Sequence, residues 1–136
     1  MAGETILVVE DEPLVGVELQ EFLMGLGYSI PGVVDDGSQA LEAFRKYRPD
    51  LILMDVRIKG SMDGVETATR IRQTSDVPII FVTAYSDPTI LARIADVHPE
   101  GLHFKPIREP DLEVNIARII RNRNGRAAEP PVQGGY

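Results

Sequence analysis

The sequence predicts an α/β domain, a doubly wound sheet of five parallel strands with helices on both faces. Five short apolar runs alternate strictly with five longer amphipathic stretches, the pattern of repeated strand–helix units. Three of the runs are near-continuous in Ile, Val and Leu, as strands covered on both faces must be. A length of 136 residues is enough for one such domain to bury its own core.

The elements follow in order. Residues 5–9 form the first strand-like run. Val15, Leu19, Phe22, Leu23 and Leu26 then line one side of a helix, and Gly27 supplies its stop. Residues 29–34 are more mixed, with Ser29 and Pro31 interrupting, which suits a strand nearer an edge. Ala40, Leu41, Phe44 and Tyr47 make the second helical stripe, behind a cap at Asp36 or Ser38 and ended by Pro49. The run at 51–54 is followed by Val65, Ala68 and Ile71, a stripe opened by Asp63. The run at 78–82 precedes Ile90, Leu91, Ile94 and Val97, introduced by Ser86-Asp87-Pro88, a cap with proline in the first turn. The last run, 101–104, is broken by His103 and leads to Leu112, Ile116, Ile119 and Ile120. Right-handed crossovers make this a doubly wound sandwich, for which the flavodoxin-like order 2-1-3-4-5 is the common five-strand solution. After about Asn122 the pattern dissolves into Arg, Ala, Pro and Gly. The expected division is a globular domain over 1–122 and a flexible tail, or the start of a linker, over 123–136.

Composition narrows the chemistry. With no cysteine, disulfides, zinc–thiolate sites and thiol nucleophiles are excluded. The first apolar run is short and lacks a basic flank, so neither a signal peptide nor a membrane span is expected, and the expected compartment is the cytoplasm. A net charge of −7 argues against nucleic acid as a partner. Arg118, Arg121, Arg123 and Arg126 are read as cations favouring the end of the last helix rather than as a basic patch. His98 and His103 are too scattered to suggest a metal pair.

In an open parallel sheet the functional crevice lies beyond the carboxyl ends of the strands. Glu10, Asp11 and Glu12 follow the first run, Asp55 the third, Thr83 and Ala84 the fourth, and Lys105-Pro106 the fifth. Each has a bland reading: an acid after a strand is often a helix cap, and a lysine at a strand end is often only solvated. The ordered set of acids, hydroxyl and ammonium on one rim argues otherwise. Converging carboxylates repel one another, and a hard divalent cation resolves the conflict; an all-oxygen site suits Mg²⁺. Such a cation together with Lys105 neutralises a phosphoryl group, Thr83 hydrogen-bonds it, and Asp55 is a plausible nucleophile.

The segments ILVVEDE, DLILMDVRIKGSMDG, PIIFVTAYSD and the Lys-Pro after the fifth run resemble the receiver domains of two-component response regulators, over about residues 6–120. The resemblance implies that Asp55 is phosphorylated from a phosphohistidine of a sensor kinase or a histidine phosphotransfer protein. It implies Mg²⁺, or Mn²⁺ in its place, bound by Asp11, Asp55 and the backbone carbonyl of Arg57, with Glu10 acting through water. It implies that Thr83 and Lys105 contact the phosphoryl oxygens, that the bond before Pro106 is cis, and that Gly64 belongs to the turn opening the third helix. Partners, including an output protein or a second copy, are expected on the face formed by the fourth helix, fifth strand and fifth helix.

Three features depart from the common pattern. Leu102 stands three positions before the lysine, where an aromatic is frequent, so aromatic–threonine coupling in that form is absent. Lys59 stands where proline is frequent, in a loop one residue longer than usual. Arg57 and Tyr85 occupy the variable positions two residues after Asp55 and Thr83, and their bulk is expected to hinder the attacking water and prolong the phosphorylated state. Two other functions compete. A phosphatase working through an aspartyl phosphate wants a second acid two residues after the nucleophile, where this chain has Arg57. A docking-only pseudo-receiver would lack one of the acids, the threonine or the lysine, and all are present.

Overall fold

The computed structural model describes residues 3–128, with side chains to 125. Strand β1 (Ile6–Val9) leads to helix α1 (Pro13–Gly25), β2 (Val33–Val34) to α2 (Gly37–Tyr47), and β3 (Leu51–Met54) to α3 (Gly64–Arg72). Then come β4 (Ile79–Thr83), α4 (Pro88–Val97), β5 (Gly101–Phe104) and α5 (Glu109–Ala128). All strands pair in parallel, in the order β2-β1-β3-β4-β5. This is the flavodoxin-like order expected from the sequence.

Alternation along each strand builds two cores. Leu7, Val9, Ile52, Met54, Ile79 and Phe81 face α2, α3 and α4. Ile6, Val8, Leu51, Leu53, Ile80 and Val82 face α1 and α5, where Leu19, Leu23, Leu112, Ile116, Ile119 and Ile120 pack. The continuous apolar runs are thus buried on both sides.

The caps set the helix entries. Asp36, not Ser38, caps α2, accepting from Gln39 N at 2.7 Å. Asp63 and Glu66 form a reciprocal capping box on α3, and Asp87 accepts from Ile90 N ahead of Pro88. Gly27, at φ +100°, turns the chain after α1 while Tyr28 N donates to Leu23 O.

Several details differ from the sequence reading, the first strand starting at Ile6 rather than at residue 5. The second strand shrinks to Val33–Val34, with Ser29 keeping only an isolated bridge to Thr5, because Pro31 offers no donor to the ladder. The fourth starts one residue later and includes Thr83. Tyr47 is exposed, since α2 ends there with Arg48 in the left-handed region. Helix α5 continues to Ala128, past the last apolar position of its stripe; residues 129–136 of the expected tail lie outside the described residues. No helix among the described residues is long and apolar enough to cross a membrane.

Candidate functional site

Three of the candidate side chains leave the sheet where the backbone ladder runs one step past a strand. Glu10 N donates to Val34 O, Asp55 N to Val9 O, and Lys105 N to Thr83 O, at 2.9 to 3.0 Å. Those bonds fix the Cα positions, so the side chains converge on one rim. Glu10 and Asp55 are almost fully buried, and Thr83 is completely so.

Lys105 is the hub. The bond to Pro106 is cis. Its Nζ lies 3.0 and 3.1 Å from the two Glu10 carboxylate oxygens, 3.0 Å from Asp55 Oδ2 and 2.8 Å from Glu12 Oε1. Burial acts against the charged ammonium, but the bonds to Glu12, Asp55 and Glu10 outweigh it and hold its pKa above the usual lysine range. Burial, reinforced by the negative charge of Asp55, raises the Glu10 carboxyl from 4.5 to about 7. Asp11 is pushed up by partial burial and then by Asp55. Four acids around one ammonium leave the rim short of positive charge.

Glu10, Asp11 and Asp55 each offer a carboxylate oxygen, all within 4.8 Å of one another. The upward pull on Glu10 and Asp11 comes first from burial and then from the neighbouring Asp55 charge. An all-oxygen donor set of this kind fits a hard divalent cation.

The surrounding loops are tied down on three sides. Gly64 opens α3 directly beneath the site: a Cβ there would stand 1.9 Å from the Asp55 carbonyl oxygen, so only glycine fits. Its N–H donates to Val56 O at 2.7 Å. Lys59 uses the backbone N–H that a proline would lack, donating to Asp35 O at 2.9 Å, while its ammonium meets Asp35 Oδ2 at 3.2 Å. Asp63 binds the Arg93 guanidinium through both oxygens, at 2.8 and 3.0 Å, linking α4 to the loop that follows Asp55. Across the mouth, the Arg57 guanidinium stacks 4.3 Å from the Tyr85 ring centroid. Tyr85 N donates to Thr83 Oγ1 at 3.0 Å, so the threonine side chain is oriented by the loop it introduces.

The structure therefore gathers Glu10, Asp11, Asp55 and Lys105, with Thr83 at the neighbouring strand end. Sequence reasoning missed the contact of Glu12 with Lys105, the Arg57–Tyr85 stack and the Asp63–Arg93 pair. Glu12 left a signal as the third acid in a row after the first strand, and Arg57 and Tyr85 as the two variable positions beside the site, though not their stacking. Of the histidines, His98 is an exposed left-handed helix cap. His103 lies 2.8 Å from Asn115 Nδ2 of α5, its pKa lowered by burial.

Comparison with known proteins agrees with this geometry. A family model described as the response regulator receiver domain matches residues 6–117. The DNA-binding response regulator MtrA of Mycolicibacterium smegmatis is 33% identical over 93% of this chain and 54% of its own length. The transcriptional regulatory protein PdtaR of Mycobacterium tuberculosis is 35% identical over 79% of this chain and 52% of its own. The chain thus spans about half the length of these curated relatives. Among solved structures, the signal receiver domain of a modulated diguanylate cyclase from Desulfovibrio desulfuricans G20 superposes with a TM-score of 0.83 at 35% identity, covering 90% of this chain and 97% of that one. The N-terminal domain of a three-domain response regulator/sensory box/GGDEF protein from Carboxydothermus hydrogenoformans gives 0.81 at 31%, covering 91% and 99%. With its sheet order, its acidic rim and a family match over most of its length, this chain belongs to the receiver domains of two-component response regulators, for which phosphoryl acceptance is general.

Proposed function

We propose that Asp55 accepts a phosphoryl group from a phosphohistidine of a sensor histidine kinase or a histidine phosphotransfer protein. The observation that carries this is the buried Asp55 carboxylate, 3.0 Å from the Lys105 ammonium and within reach of two further acids. In the transfer one Asp55 oxygen forms a bond to phosphorus as the phosphorus–nitrogen bond of the donor breaks. The imidazole nitrogen keeps the electron pair and takes up a proton. Lys105 neutralises charge on the phosphoryl oxygens, and the Thr83 hydroxyl donates to one of them.

Asp11, Asp55 and the backbone carbonyl of Arg57 would hold Mg²⁺ or Mn²⁺, with Glu10 assisting through water. When bound, the cation screens the acids from the incoming phosphoryl group. The domain acts on itself rather than turning over an external substrate, since Arg57 stands where a phosphatase needs a second acid. We place the switched surface on α4, β5 and α5, where Phe104 and Val114 are exposed and available to an output protein or a second copy. The acidic balance makes nucleic acid a poor partner for this domain.

The test is incubation with Mg²⁺ and acetyl phosphate, followed by intact mass. One phosphoryl group should be added, and none without Mg²⁺ or in Asp55→Asn. Absence of both uptake and Mg²⁺ binding would turn the reading to a docking-only pseudo-receiver.

A further inference from the structure

We propose that Glu12 is a positioning residue, holding the Lys105 ammonium in the resting site and yielding its place to a phosphoryl oxygen. The inference rests on Asp55 being the acceptor. An ammonium has three donors and no acceptor. Here Lys105 is already shared among three carboxylates, those of Glu10, Glu12 and Asp55. A phosphoryl oxygen can take a strong bond from Lys105 only if one of these gives way.

The three partners are not equivalent. The side chains of Glu10 and of Asp55, still a carboxylate as the phosphoryl group arrives, are 2% and 5% exposed, so a lost bond leaves a buried acid poorly compensated. That of Glu12 is 61% exposed, and its freed carboxylate returns to water. Glu12 nonetheless makes the shortest contact, 2.8 Å. It is therefore the exchangeable partner, and its oxygen occupies a direction that an anionic oxygen would otherwise claim. Glu12 also begins α1 without using its side chain as a cap, so replacing that side chain leaves the helix start intact. Its backbone N–H, which donates to Glu10 Oε2, is untouched by substitution.

The consequence is competition. Glu12 and the phosphoryl group vie for one donor, so Glu12 weakens the domain's hold on any tetrahedral anion at Asp55. Glu12→Gln keeps the shape and removes the charge. An exposed ion pair of this kind is worth a small factor, so the expected change is about threefold.

The experiment titrates the full chain, in Mg²⁺, with beryllofluoride as a stable stand-in for the phosphoryl group, and measures the acetyl phosphate dependence of the phosphorylation rate. The control is Glu21→Gln, which removes an equal charge from the exposed side of α1. Glu12→Gln should bind beryllofluoride about threefold more tightly than Glu21→Gln. The gain should appear in the half-saturating concentration of acetyl phosphate. The Lys105 side-chain nitrogen resonance should also move in Glu12→Gln and stay in Glu21→Gln. Coincidence of the two variants, or weaker binding in Glu12→Gln, overturns the role of Glu12 alone. If the unsubstituted chain neither binds beryllofluoride nor takes a phosphoryl group, the acceptor reading falls and this inference with it.

Discussion

Replacing Gly64 by alanine forces a methyl group against the floor of the candidate site. The new Cβ would lie 1.9 Å from the Asp55 carbonyl oxygen, 2.8 Å from its carbonyl carbon and 3.0 Å from Val56 Cα. All three are backbone atoms, so no side chain can swing aside. A relaxed carbon–oxygen contact needs about 3.3 Å, so the start of α3 and the end of β3 must part by more than about 1 Å. That movement strains the Gly64 N–H bond to Val56 O and shifts the backbone that presents Asp55. Gly64 does not have a positive φ, so backbone conformation offers no objection to alanine; the objection is space alone. Overpacking of this severity costs about 3 kcal/mol, and reduced freedom of the unfolded chain returns less than about 1 kcal/mol. For a domain of this size the net loss lowers Tm by roughly 5–10 °C. Gly25 in α1 is the internal control, because a Cβ there meets nothing within 4 Å. Gly25→Ala should stabilise by roughly 0.4–1 kcal/mol. Urea unfolding of both variants gives the energies, and acetyl phosphate uptake reports whether Asp55 has moved. A Gly64→Ala protein as stable as Gly25→Ala, with unchanged uptake, would refute the steric account.

Two further predictions concern charge and access. Burial raises the folded-state pKa of Glu10 from 4.5 to about 7, so between those values the folded chain holds a proton that the unfolded chain has lost. The contribution of Glu10 to stability is therefore fully present below about pH 4.5 and is lost as pH rises to about 7, with a ceiling for one group of about 1.4 kcal/mol per pH unit. Unfolding in chelator across that window should show the fall, Glu10→Gln should flatten it, and Mg²⁺ should restore most stability at the high-pH end. Separately, removing the Arg57–Tyr85 stack opens the mouth to water, so Arg57→Ala with Tyr85→Ala should shorten the phosphoaspartate lifetime severalfold, followed by loss of the added mass. An unchanged lifetime would rule out that screening role.

The legible parts of this molecule are those where one short segment decides the outcome. The runs at Ile6–Val9 and Leu51–Met54 could only be doubly covered strands, and parallel pairing then fixed which ends share a rim. Asp36, Asp63 and Asp87 cap within three residues of themselves; the caps at Asp63 and Asp87 were readable, and that at Asp36 was narrowed to Asp36 or Ser38. Contacts set by distant chain were not. Glu12 meets Lys105 across 93 residues of sequence, and Arg93 reaches Asp63 across 30, each between side chains that look like ordinary solvated charges. Tyr47 continued the apolar period of α2 but is its last residue and is exposed. The role of Lys59 was hidden for another reason: it lies in a backbone N–H, which the identity of the side chain does not announce.

Among the described residues, strand β5 is paired on one side only and is half exposed along its length, whereas β1 and β3 are flanked on both sides and fully buried. The carboxylates are therefore mounted on stiff strands, each held by two ladders, and the ammonium on the compliant one. Displacing Asp55 means deforming the middle of the sheet, but displacing Lys105 loosens a single ladder. A change of charge at the rim accordingly does its mechanical work at the border of the sheet, next to the two helices that β5 separates.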